Sequence, residues 1–88
     1  MLKQTAKIAH EVGLHARPAA MLVKSVSASG KKVSISRVGQ KSVNAASMLS
    51  VLSLGLKQGE EVEISIEEDD AQNLMDELVK LITTALDE

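Results

Sequence analysis

With 88 residues and no cysteine, phenylalanine, tyrosine or tryptophan, the chain has room for one domain with a wholly aliphatic core. Missing aromatics remove the side chains that stack on unpaired bases, which argues against nucleic acid as a ligand, and missing cysteines exclude disulfides, thiolate metal sites and cysteine nucleophiles. The net charge of −2 is unevenly divided: residues 1–58 hold nine basic residues against Glu11, a formal +8, and residues 59–88 hold eleven acids against Lys80, a formal −10. Such a chain either offers a basic face to an acidic partner or an anionic group, or neutralises itself across the fold.

Residues Lys3 to Ile8 alternate, with Gln4, Ala6 and Ile8 on one side, and predict a first strand. The opening residues do not resemble a signal peptide, and no segment approaches the roughly 20 apolar residues of a membrane span, so no membrane insertion and a cytoplasmic location are expected. From Ala16 to Ser27 the positions Ala19, Leu22, Val23 and Val26 form one helical stripe, ended by Ser29-Gly30. Val33 and Ile35 alternate with serines, and a short strand from Lys41 to Val43 after the Gly39 turn would complete a hairpin. Ser47 suits the N-cap of a short helix, Met48 to Leu54, with Gly55 just beyond its end. Glu61 to Glu67 alternates without a fault, and Val62, Ile64 and Ile66 share its apolar face. Asp69 and Gln72 have capping-box spacing, and Ala71, Leu74, Met75, Leu78, Ile82 and Ala85 then mark a last helix. The order β-α-β-β-α-β-α predicts an α+β open-faced β-sandwich, a four-stranded antiparallel sheet covered on one face by three helices, in a single domain spanning residues 1–88. Ferredoxin-like folds share the β-α-β-β-α-β order, so strand connectivity stays open at this point.

Chemistry concentrates in Gly13-Leu14-His15-Ala16-Arg17-Pro18-Ala19. His15 stands just before a predicted helix, whose first backbone N–H groups have no intrahelical partner and whose dipole is positive there. Arg17 can bring a guanidinium fork to the same point, Pro18 suits the first turn, and Gly13 permits a sharp entry. A positive helix end disfavours the imidazolium, which leaves a ring nitrogen free to act as nucleophile, and the anion so formed would be held by the helix end and Arg17. The plainer reading is a helix cap beside a surface charge. A metal site at His10 and His15 finds only Glu11 nearby, so neither a metal nor a cofactor is expected. No serine and carboxylate are positioned for hydrolysis.

The G-L-H-A-R-P-A run, followed at a suitable interval by Ser47-Met48-Leu49 and Leu54-Gly55, closely resembles the HPr family of histidine-containing phosphocarriers from the bacterial phosphoenolpyruvate-dependent sugar phosphotransferase system. The resemblance spans essentially the whole chain and implies the open-faced β-sandwich. It implies a stoichiometric carrier rather than an enzyme, phosphorylated on the δ1 nitrogen of His15 by Enzyme I and discharged to EIIA components of sugar permeases. Ala16 and Arg17 would hold the phosphate, and Ala20, Lys24, Met48, Leu49 and Leu52 would be partner contacts, with Val51 and Leu54 kept for the core. Ser47 aligns with a serine that an HPr kinase/phosphorylase modifies in Gram-positive members. Here Ala46 replaces the lysine expected before it, and the turn after Gly39 is one residue longer than in many relatives, so Ser47 also reads as a cap alone. The family further includes regulatory binding modules with transfer secondary or lost, an alternative that intact His15 and Arg17 disfavour. A monomer is the simplest expectation.

Overall fold

Why the chain folds in layers is clearest at β4 (Glu61–Ile66), whose alternate residues Val62, Ile64 and Ile66 are buried while Glu61 is exposed. The computed structural model describes residues 1–9 and 16–83, and places β4 at the centre of a four-stranded sheet. The remaining elements are β1 (Leu2–Lys7), α1 (Ala16–Ser29), β2 (Val33–Arg37), β3 (Val43–Asn44), α2 (Met48–Ser53) and α3 (Gln72–Thr83). The expected element order is therefore present, and the strands lie β1-β4-β2-β3 with every neighbouring pair antiparallel. This pairing settles the connectivity that the order of elements left open.

Register explains which face is covered. Ala6 lies opposite Val62 and Val33 opposite Ile66, placing apolar residues of β1, β4 and β2 together. Lys7 opposite Glu61 and Thr5 opposite Glu63 occupy the other face, where opposite charges across a strand pair are favourable. The helices bury Ala19, Leu22 and Val26 of α1, Val51 of α2, and Met75, Leu78 and Ile82 of α3 against the apolar face. Each fully buried Val, Leu, Ile or Met among them contributes roughly 1.5–3 kcal/mol relative to exposure.

Several sequence expectations shift locally. The short strand is Val43–Asn44 rather than Lys41 to Val43, because the main chain at Lys41 and Ser42 is not paired with β2 while Ser34 and Ile35 register with Asn44 and Val43. Helix α1 continues to Ser29, whose Oγ donates to the Val26 carbonyl at 2.6 Å, before Gly30 turns at φ 68°. No capping box forms at α3: Asp69 receives the amino terminus of Met1, and Gln72 donates along the helix to Asp76 at 2.8 Å. Gln4 shares the core side of its strand yet is exposed on the edge strand β1. Leu54 is half-buried against the core, as the cap of α2 rather than its last helical residue, and Ala85 lies outside the described residues.

The charge asymmetry is partly neutralised inside the fold. Lys31 pairs with Glu68 at 2.8 Å, Arg37 with Glu60 at 2.9 Å, and the amino terminus with Asp69, each joining the basic part of the chain to the acidic part.

Candidate functional site

Helix α1 begins at Ala16, immediately after His15, and runs for 14 residues. His15 and His10 themselves lie outside the described residues, as does the side chain of Ala16. Pro18 is fully buried at the third helical position, where its missing N–H breaks no helical bond, and with Ala19 it seats the first turn on the core. Arg17, Ala20, Met21 and Lys24 are all exposed. Their spacing of i, i+3, i+4 and i+7 makes them one outward stripe, opposite the buried stripe of Ala19, Leu22 and Val26. The first turn contains no acidic residue, so no carboxylate of its own offsets the positive helix end.

Helix α2 packs beside α1. Six residues give it too little length to be stable alone, and its ends are accordingly fastened. At its start Ser47 adopts extended geometry, φ −105° and ψ 113°, and its Oγ accepts the Ser50 N–H at 3.3 Å. At its end Gly55 takes φ 61° and donates to the Leu52 carbonyl at 3.1 Å, a conformation any L side chain would strain. Of the apolar residues on α2, Val51 is buried, Met48 is half-buried against the core, and Leu49 and Leu52 are 82% and 38% exposed. Ser47→Ala removes one cap acceptor and is expected to cost about 1 kcal/mol in urea unfolding. A cost near zero would mean that water satisfies the Ser50 N–H equally well.

The outward faces of two packed helices thus carry exposed apolar side chains together with Arg17 and Lys24. An apolar patch interrupted by cations suits a protein partner with acidic and apolar residues. Met21, 39% exposed, belongs to this face and was missed in the sequence reading. Its place outside the Ala19-Leu22-Val26 stripe, four residues from Arg17, was the available signal.

The turn after α2 is tied to the sheet by an ion pair that spacing does not reveal. Arg37 donates through Nε and Nη2 to the two carboxylate oxygens of Glu60 at 2.9 and 3.2 Å, and Nη2 also donates to the Gly55 carbonyl at 3.1 Å. The hydrogen bond from Arg37, then that from the Lys57 backbone N–H at 2.6 Å, holds the Glu60 carboxyl below its ordinary value of 4.5. Its stabilising effect is complete above that ordinary value and is lost as pH falls through the lowered one. Across the open sheet face, a shallow cleft of about 550 Å³ lined by residues such as Lys32, Ser34, Asn44 and Ser65 includes none of the predicted site residues. Among the described residues no three His, Cys, Asp or Glu side chains gather where they could hold a metal, and no helix is long and apolar enough to cross a membrane.

Comparison with known proteins places this geometry in context. Residues 2–84 match the family model described as the PTS HPr component phosphorylation site. The phosphocarrier protein HPr of Streptomyces coelicolor is 38% identical over 88 residues, covering 100% of this chain and 95% of that protein. The crystal structure of HPr-C-His from Thermoanaerobacter tengcongensis superposes with a TM-score of 0.84 at 39% identity, covering 93% of this chain and 91% of that one. Crh, the catabolite repression protein of Bacillus subtilis, crystallised as a swapped dimer, is similar with a TM-score of 0.72 at 27% identity over 100% of both chains. A family match over residues 2–84, a relative of this identity and the shared open-faced sandwich together show that the chain belongs to the HPr family of phosphotransferase-system phosphocarriers.

Proposed function

We propose that this single-domain chain accepts a phosphoryl group on Nδ1 of His15 from phosphorylated Enzyme I and passes it to EIIA components of sugar permeases in the cytoplasm. The observation that carries the reading is the position of His15 directly before the first turn of α1, which holds no acid and exposes Arg17, in a chain matching the HPr phosphorylation-site model over residues 2–84. The lone pair of an unprotonated Nδ1 attacks phosphorus, the donor's bond to phosphorus breaks, and its electron pair leaves with the donor. Backbone N–H groups at Ala16 and Arg17, with the Arg17 guanidinium, then offset the charge arriving at the helix end. Onward transfer is the same exchange in reverse, so one chain carries one phosphoryl group and turns over no substrate of its own.

Ala20, Lys24, Met48, Leu49 and Leu52 are the proposed partner contacts, and the exposure of Leu49 supports their role most directly. A half-buried Met48 would contribute its rim only. Ser47 is a cap whose Oγ accepts the Ser50 N–H, and modification by an HPr kinase/phosphorylase would set a phosphate at the start of α2. The likeness to Crh favours one second reading, a regulatory binding module of carbon metabolism; dimers are recorded for relatives, Crh of Bacillus subtilis and HPr of Thermoanaerobacter tengcongensis, while a monomer is the proposal for this chain.

Intact mass after incubation with phosphoenolpyruvate and Enzyme I tests the proposal. One added phosphoryl group, removed by acid and spared by alkali, is the expected result; no addition with active Enzyme I would contradict it. Arg17→Ala is expected to slow acceptance by about one to two orders of magnitude with little change in stability, as read by rapid-quench labelling. An unchanged rate would reduce Arg17 to a surface charge.

A further inference from the structure

With no cysteine in the chain, its sulfur is confined to the thioethers of four methionines, and these are the groups a peroxide converts most readily. The fold sorts them into different settings. Met75 is 1% exposed in the core, and Met48, at the start of α2, is half-buried against that core. Met1 is exposed and borders the cleft on the open sheet face, the side of the sheet away from the helices. Met21 is exposed on the outward stripe of α1, four residues after Arg17 and three before Lys24, so an apolar side chain stands between two cations on one helix face.

We propose that Met21 is an oxidation site on the docking face, where conversion to the sulfoxide weakens the seat for Enzyme I and reduction restores it. The inference rests on the phosphocarrier reading above. The oxidant is a peroxide. A sulfur lone pair attacks one peroxide oxygen, the O–O bond breaks, and the departing hydroxide takes the proton left on the new S–OH group and becomes water. Sulfur loses two electrons and the peroxide gains them. A thiol-dependent sulfoxide reductase reverses the change, releasing the oxygen as water while two thiols join as a disulfide.

Position decides the consequence. A flexible, polarizable thioether fits an irregular apolar contact, whereas the sulfoxide is polar and chiral. Covered by a partner, its oxygen gives up water and gains nothing from an apolar surface laid over it. Because Met21 lies outside the buried stripe of Ala19, Leu22 and Val26, this loss falls on docking and not on the core. The same oxidation at Met1 adds an oxygen on the other side of the sheet, and Met75 is shielded while the chain stays folded.

The test treats the full chain with hydrogen peroxide until peptide mass mapping shows Met21 converted, and compares each chain with its own untreated sample. Met48→Leu removes the half-buried thioether at nearly constant volume, and Met21→Leu removes the proposed site. Two quantities are read: Enzyme I-dependent acceptance over a range of chain concentrations, and the urea midpoint. In the parent and in Met48→Leu, oxidation is expected to raise the half-saturating concentration about tenfold, with the saturating rate and urea midpoint close to the untreated values. In Met21→Leu, oxidised equally at Met1, the half-saturating concentration should not move on treatment. Sulfoxide reductase with a thiol should return the parent to its untreated value. A Met21 that reacts no faster than Met75, an unchanged half-saturating concentration with Met21 fully converted, or an equal loss in Met21→Leu would each overturn the assignment. Failure of the untreated parent to accept a phosphoryl group would instead remove the phosphocarrier reading.

Discussion

His15→Ala is expected to abolish phosphorylation by Enzyme I and phosphoenolpyruvate while leaving cooperative unfolding intact. The effect should be total, because the imidazole is the nucleophile of the proposed site: the Arg17 guanidinium donates hydrogen bonds and offers no acceptor lone pair, and the Ser47 hydroxyl serves α2 as a cap acceptor. Stability should be nearly unchanged. The buried cluster runs from Ala6 to Ile82 and is built from aliphatic side chains of the strands, the helices and their flanking loops, none of which requires an imidazole. Intact mass and a thermal melt on the same sample check both halves of the expectation. Persistent acid-labile labelling would move the acceptor to another residue, with His10 the first to examine.

The largest loss of stability is expected from Leu78→Ala. Leu78 is fully buried near the middle of α3 and belongs to the aliphatic core cluster. Deleting its branched end removes transfer free energy and leaves a cavity that a close-packed core refills only in part, a cost of about 3 kcal/mol. Against a total of about 5–15 kcal/mol for a domain, this is a substantial share, and the melting temperature should fall by about 15 °C. The same truncation at Leu49, 82% exposed, should stay within about 0.5 kcal/mol in urea unfolding. Equal costs at the two positions would show that Leu49 is covered in solution and is unavailable to a partner.

Those two leucines also mark how far the sequence could be read. Strict alternation in β4 and the 3.6-residue stripe of α3 come from burial on one face alone, so the identities of Val62, Ile64, Ile66, Met75, Leu78 and Ile82 sufficed to place them. Short elements resisted for a physical reason. β3 has two residues, and their pairing depends on β2 across a turn rather than on any pattern of their own. Asp69 could not be assigned from spacing, because its actual partner is the amino terminus 68 positions away in the chain. Arg37 and Glu60, separated by 23 residues, meet only once β2 and the turn before β4 have been folded together. On the site, G-L-H-A-R-P-A announced anion chemistry from residue types, and the structure adds the exposure of Arg17 and the outward stripe containing Met21. His15 itself lies outside the described residues, and its role as acceptor rests on the motif and the proposal.

Onward transfer tests the account most directly. The chain is labelled with radioactive phosphoenolpyruvate and Enzyme I, freed of both, and mixed with an EIIA component of a sugar permease. The account predicts that label leaves this chain and appears on the EIIA component, one phosphoryl group for each one lost. Label that stays on the chain, or departs only as inorganic phosphate, would contradict a carrier and favour a regulatory module that is modified without handing its phosphoryl group on.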